Sequence, residues 1–198
     1  MRDRAFTRME LRLASRSLLN IPNILTLIRV AMIPVLVLLA YTQYPWRFWA
    51  VAIVFAVASI TDWFDGYLAR ALNQTSAFGR FLDPVADKLM VAAALVILVQ
   101  LHPGVGMVMP AVVIISREIT ISALREWMAE LGKRASVAVS YVGKLKTAAQ
   151  MVSINVLLIN LPALDVLGYC LLYVAAALTI WSMTVYLRAA WPDLREAD

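Results

Sequence analysis

The chain has 198 residues, 62% of them hydrophobic, with a mean hydropathy of +0.76. A soluble domain is about 45–50% apolar, so this composition excludes an ordinary water-soluble globule. It points to a polytopic membrane protein of one compact domain. The net charge of +5 then signals basic loops on anionic lipid, or a site for anionic substrates, rather than a nucleic-acid partner.

Residues 1–20 read "MRDRAFTRMELRLASRSLLN". They have no continuous apolar core and no small-residue cleavage site, so they are no signal peptide. Arg2, Arg4, Arg8, Arg12 and Arg16 recur among Phe6, Met9, Leu11, Leu13, Leu18 and Leu19. This pattern predicts a basic amphipathic helix on the membrane surface, with a disordered basic tail as the competing reading.

A crossing helix needs about 20 mostly apolar residues. Six segments qualify: Ile24 to Tyr41, Phe48 to Leu72, Phe81 to Leu101, Val105 to Glu130, Val137 to Leu161 and Leu164 to Ala190. Pro22, Pro45, the turn His102-Pro103-Gly104 and Pro162 punctuate them. The expected architecture is all-α: residues 1–20 at the surface, a six-span domain over 21–190, and a cytoplasmic tail over 191–198. Cys170 lies in an apolar run and is expected to be a packed thiol. His102 is expected to be a plain loop residue.

Basic residues give the orientation. They gather in the N-terminal segment, in the second-to-third connection (Arg70, Arg80, Lys88), in the fourth-to-fifth (Lys133, Arg134), and at the C-terminus (Arg188, Arg195). The other connections carry little charge. An even number of spans with both termini cytoplasmic gives this alternation.

The segment "TDWFDGYLARALNQTSAFGRFLDPVADK" is the anomaly. It places Asp62, Asp65, Asp83 and Asp87 between two apolar runs, where buried charge is costly. Residues three and four apart share a helix face. Asp62 and Asp65 therefore point one way, with Gly66 and Ala69 leaving room beside them and Arg70 one turn on. Gly79, Asp83 and Asp87 repeat every four residues on the next helix. An antiparallel pair would bring the four carboxylates together. Such a cluster stays ionised only against cations. Oxygen donors without His or Cys suggest a hard divalent ion, Mg²⁺, Mn²⁺ or Ca²⁺, holding a phosphate ester or diphosphate. Competing readings are an N-cap at Asp83-Pro84, structural salt bridges to Arg70 or Arg80, and glycines that serve helix packing alone.

The full pattern is Asp62-x-x-Asp65-Gly66-x-x-Ala69-Arg70, eight residues, then Gly79-x-x-x-Asp83-x-x-x-Asp87. It resembles the signature of the CDP-alcohol phosphatidyltransferases, with no position missing. "NIPNILTLIRVAMIP", "SREITISALREWMAELGK" and "SVAVSYVGKLKTAAQM" extend the similarity from about Ile21 to Arg188, toward a bacterial branch whose acceptor is glycerol 3-phosphate. The resemblance implies a six-span homodimer in the bacterial cytoplasmic membrane, with its active site at the cytoplasmic side. It implies transfer of a phosphatidyl group from CDP-diacylglycerol to sn-glycerol 3-phosphate, with release of CMP and use of Mg²⁺ or Mn²⁺, two ions in all. Carried over by position, Asp62, Asp65 and Asp83 are metal ligands. Asp87 is the general base, also close to metal. Gly66 and Arg70 lie against the CDP group with Asp62, and Gly79 gives it room. Asn23, Thr26 and Arg29 complete the nucleotide or diphosphate pocket.

The acceptor is a small dianion and needs cations of its own. Arg117, deep in the fourth span beside Glu118, and Lys144 are the first choices, with Arg125 and Lys146 second. Internal pairing of Arg117 with Glu118 is the competing reading. Sister activities using inositol phosphate or serine remain open, as does a cation transporter lined by the same acids.

Overall fold

The computed structural model describes residues 20–71, 76–130 and 141–195. The expected surface helix over 1–20 lies outside them, apart from Asn20. For Asp65, Gly66, Arg70 and Lys144 only the helical backbone is described. Every described element is a helix: α1 (Ile21–Ala40), α2 (Arg47–Ala71), α3 (Ala77–Leu101), α4 (Val105–Glu130), α5 (Tyr141–Leu158) and α6 (Pro162–Arg195).

The helix ends follow from local chemistry. Pro22 stands in the first turn of α1, where its missing N–H costs nothing. Helix α3 starts at Ala77, earlier than the predicted Phe81. Ser76 explains this, because its Oγ accepts the Gly79 N–H at 2.9 Å, a serine N-cap. Asp83 and Pro84 therefore lie inside α3, which removes the reading of Asp83 as an N-cap. Helix α6 continues to Arg195, past the predicted end at Ala190. Hydropathy marks where the apolar run ends, and a helix can continue beyond it. The predicted start of the fifth span, Val137, lies outside the described residues.

The helices group into two compact units, one ending at Ala94 and the other starting at Leu95, so the division falls within α3. In the first unit α1 packs along α2, with Leu36, Val51, Phe55 and Ala58 buried. In the second, α6 packs against both α4 and α5. A methyl group on Gly168 would stand 2.6 Å from Leu157 side-chain carbons. That glycine therefore allows the close approach of α5 and α6. Ser153 Oγ donates to the Gly168 carbonyl at 2.8 Å across the same contact. Ile121, Leu124 and Met128 of α4 enclose Tyr186 of α6.

The outward faces are apolar. Leu38, Val96, Val166 and Trp181 are all more than 60% exposed. Scattered apolar side chains are normal on a soluble surface, but continuous apolar faces are not. Among the described residues, Ile21–Ala40, Val105–Glu130 and Pro162–Ala189 are long and apolar enough to cross a bilayer. These are the features of a membrane protein. Cys170 is exposed, against the expectation of a packed thiol. It lies three or four residues from Val166, Leu167, Tyr173 and Val174, all exposed, and so on the outward face of α6. His102 Nε2 lies 3.4 Å from the Leu157 carbonyl, and its ring meets Tyr169 edge-on.

Candidate active site

Helix α1 organises the acids of the first unit. Asn23, Thr26 and Arg29 are spaced by three on an otherwise apolar helix, and that spacing keeps them on one side. All three are buried, at 1%, 0% and 1% exposure. Each reaches another part of the unit. Thr26 Oγ1 donates to Asp83 Oδ1 of α3 at 2.5 Å, and the Pro22 carbonyl lies 3.1 Å away. Arg29 Nη1 donates to Asp62 Oδ1 of α2. Asn23 Nδ2 donates to Ser76 Oγ at 2.9 Å. Two carboxylates from different helices thus meet residues one turn apart on α1. Cβ atoms at that spacing are about 5–6 Å apart, so Asp62 and Asp83 are drawn to the same side of the unit.

Burial dictates these pairings. A guanidinium cannot be buried without a compensating group, and Asp62 supplies it to Arg29. The Asp62 side chain itself stays 41% exposed, so one side of that carboxylate remains open. The Thr26 bond is charge-assisted and short, as a hydroxyl on a carboxylate is expected to be. It fixes one oxygen of Asp83. Asp87 lies one turn further along α3, half-buried.

Gly79 is buried in this arrangement. A methyl group there would overlap Asn23 Oδ1 and stand 3.1 Å from Ser76 Oγ. The space beside Gly79 is thus filled by the Asn23 side chain. Asn23, Thr26 and Arg29 were expected to complete a nucleotide or diphosphate pocket, and the contacts described for them include Ser76, Asp83 and Asp62. Ser76 was missed altogether. Its signal was in the sequence, as a serine three residues before a glycine at a helix start.

The second unit gathers a different set. Arg117 Nη1 donates to Glu118 Oε1 at 3.0 Å and Nη2 donates to Ser182 Oγ at 3.0 Å. Lys146 Nζ donates to the same Glu118 oxygen at 2.5 Å. The structure therefore brings Arg117 and Lys146 together around one carboxylate, linking α4, α5 and α6. Arg125 instead stacks over the Tyr186 ring, 5.2 Å from its centroid. The Lys144 side chain lies outside the described residues.

Residues 19–181 match the family described as CDP-alcohol phosphatidyltransferase. This chain belongs to the CDP-alcohol phosphatidyltransferase family. It is 55% identical over 181 residues to a CDP-diacylglycerol–glycerol-3-phosphate 3-phosphatidyltransferase of Pseudomonas fluorescens, covering 89% of this chain and 93% of the relative. Relatives of the same name from Shigella flexneri serotype 5b and Yersinia pestis (strain Pestoides F) are 54% and 55% identical. They cover 88% and 90% of this chain and 97% and 98% of their own lengths.

The family generally depends on a divalent metal ion. Among the described residues no three His, Cys, Asp or Glu side chains gather as a ligand set. Asp62 and Asp83 are the pair that α1 draws to one side, and Asp65 follows Asp62 by one turn of α2. These donors are all carboxylate oxygens, which suits a hard cation of the Mg²⁺ class and not zinc. The residues present fit the group.

Proposed function

We propose that this chain transfers the phosphatidyl group of CDP-diacylglycerol to sn-glycerol 3-phosphate, giving phosphatidylglycerophosphate and CMP. The observation that carries it is the identity of about 55%, over nearly the whole chain, to relatives bearing that activity in their names. The intact aspartate signature supports it, with two of its acids held by α1.

The acceptor's 1-hydroxyl attacks the phosphatidyl phosphorus. The bond from that phosphorus to the bridging oxygen breaks, and CMP leaves with the electron pair. A free hydroxyl holds its proton far too tightly at neutral pH, so a base must take it in the transition state. Asp87 is the carboxylate we assign to that proton. Asp62, Asp65 and Asp83, with Asp87 beside them, would hold one or two Mg²⁺ or Mn²⁺ ions. When bound, the metal supplies positive charge against the diphosphate. Asp62, Gly66, Arg70 and Gly79 are assigned to the CDP group. Asn23, Thr26 and Arg29 serve that pocket through the acids and Ser76. The acceptor's phosphate is assigned to Arg117 and Lys146, with Lys144 and Arg125 as further cations.

The setting we propose is the bacterial cytoplasmic membrane. All six helices span, both termini and the active site face the cytoplasm, and the chain works as a homodimer. Alternating loop charge and the bacterial relatives support this.

CMP release from CDP-diacylglycerol by purified protein tests the reaction. Release should require glycerol 3-phosphate and stop with chelator. Release driven by inositol phosphate or serine instead would overturn the acceptor assignment.

A further inference from the structure

Two different helices hold the two terminal nitrogens of Arg117. Nη1 donates to Glu118 Oε1 at 3.0 Å, and Nη2 donates to Ser182 Oγ at 3.0 Å. Glu118 is the next residue on α4, and sequence neighbours on a helix do not face each other. That ion pair alone would draw the guanidinium around α4. Ser182 holds the other nitrogen from α6, and two fixed points on a planar fork limit how its plane can turn.

The Ser182 hydroxyl is itself oriented. It donates to the Thr179 carbonyl, one turn back on α6, at 3.1 Å. A hydroxyl has one proton and two lone pairs. With that proton committed, Oγ faces Arg117 purely as an acceptor. Its seat is also packed. A step of four residues leads from Arg117 to Ile121 on α4, and the same step leads from Ser182 to Tyr186 on α6. Ile121 and Tyr186 belong to one buried apolar cluster, at 2% and 7% exposure. The polar pair therefore sits one turn from the core that α4 and α6 share.

Satisfying a buried cation does not account for the whole arrangement. A guanidinium carries five N–H donors. Among the described residues one acceptor meets Nη1, one meets Nη2, and Nε has no hydrogen-bond partner. The Arg117 side chain is only 14% exposed. A group so enclosed, with donors to spare, suits a ligand rich in acceptor oxygens, and phosphate is one. Guanidinium and phosphate pair through a directional fork, so the plane of the arginine decides how well they meet.

We propose that Ser182 is a positioning residue for the acceptor: by holding Nη2 it turns the Arg117 guanidinium so that its remaining donors meet the acceptor's phosphate. This rests on the acceptor reading given above and adds a neutral residue of α6 to it.

Because Ser182 is neutral, its replacement changes alignment without changing the charge of the site. Ser182→Ala and Ser182→Cys remove the hydroxyl acceptor, and Ser182→Thr keeps it. The readout is KM for each substrate, measured on the full-length protein. KM for sn-glycerol 3-phosphate should rise about tenfold in the alanine and cysteine variants, the low end for a hydrogen bond to a charged group. KM for CDP-diacylglycerol should hold, and Ser182→Thr should keep the acceptor KM near wild type. Arg117→Lys retains the charge but offers one nitrogen in place of the fork, so it should raise the acceptor KM too. Adding Ser182→Ala to it should cost little more, because both changes remove the same alignment. A serine that only supports the fold would shift KM for both substrates alike, or for neither, and its loss would add to that of Arg117→Lys. Any of these results would overturn the proposal, as would failure of both Ser182→Ala and Ser182→Cys to fold. A raised acceptor KM in Arg117→Lys beside wild-type values in the serine variants would remove the positioning role alone. A wild-type acceptor KM in Arg117→Lys would overturn the assignment of Arg117 to the acceptor, and this proposal with it.

Discussion

Thr26 and Asp83 lie 57 positions apart in sequence, yet the hydroxyl of one donates to the carboxylate of the other at 2.5 Å. This bond ties the first helix to an acid of the signature. It holds one oxygen of Asp83 and so sets the rotamer in which the carboxylate is offered. Groups that orient a metal ligand in this way commonly change affinity or activity about 10–100-fold when removed.

Thr26→Val keeps the shape of the side chain and removes the donor. The Mg²⁺ or Mn²⁺ concentration for half-maximal CMP release should rise by about tenfold or more. Thr26→Ser should restore it. The Tm of the valine variant should change little, because the lost bond serves orientation more than folding. A metal titration identical to wild type would show that Asp83 needs no such support.

Arg29 poses the opposite balance. It is buried and its partner is half open, so folding depends on the pair more than it does on Thr26. Arg29→Met fills similar space but removes the cation beside Asp62. We expect a loss of about 1–3 kcal/mol, the range for a hydrogen bond to a charged group or an unsatisfied buried one, read as a lower Tm in detergent. Arg29→Lys should not rescue it fully, because an ammonium lacks the planar fork of guanidinium donors. A wild-type Tm in Arg29→Met would mean the ion pair contributes nothing to the fold.

Gly79 and Asn23 should be coupled. A methyl group at Gly79 meets Asn23 Oδ1 at overlapping range, and the Asn23 side chain is buried. Gly79→Ala should therefore destabilise the first unit, and Asn23→Ala in the same chain should recover part of the loss. Neighbours in contact show interaction energies of about 0.5–3 kcal/mol in double-mutant cycles. Strict additivity of the two changes would place the clash elsewhere.

The helices and the acids were readable in the sequence because their signals are periodic. Apolar runs gave α1 to α6 within a few residues, and the spacing of Asp62, Asp65, Asp83 and Asp87 was conspicuous in an apolar setting. The service of Thr26 and Arg29 to those acids was less readable. Their spacing by three showed a shared face, but not which side chains on α2 and α3 they would meet. That depends on how α1 lies against its neighbours. Ser76 was missed because the start of α3 was read from the apolar run at Phe81 and not from a capping side chain. Glu118 was considered only as a local partner of Arg117. Its bond to Lys146, 28 residues away, depends on how α4 and α5 each pack against α6. The exposed Cys170 shows the same limit: an apolar run inside a membrane protein does not say which side faces lipid.

Asp87 carries the sharpest test of chemistry against structure. It follows Asp83 by one turn of α3, and the two carboxylates differ in their assigned work. Asp83, which is held by Thr26, is the one we propose for metal, and Asp87 is the one we propose for the acceptor's proton. Asp87→Asn keeps size and polarity but cannot accept that proton. Loss of a general base commonly costs 10²–10⁴-fold, so CMP release should fall into that range. Equilibrium binding of CDP-diacylglycerol with Mn²⁺ present should stay within a few-fold of wild type. Asp83→Asn should weaken that binding along with turnover. An Asp87→Asn protein with near-normal turnover would assign the proton to another group, and one that loses nucleotide binding as fully as Asp83→Asn would make Asp87 a metal ligand first.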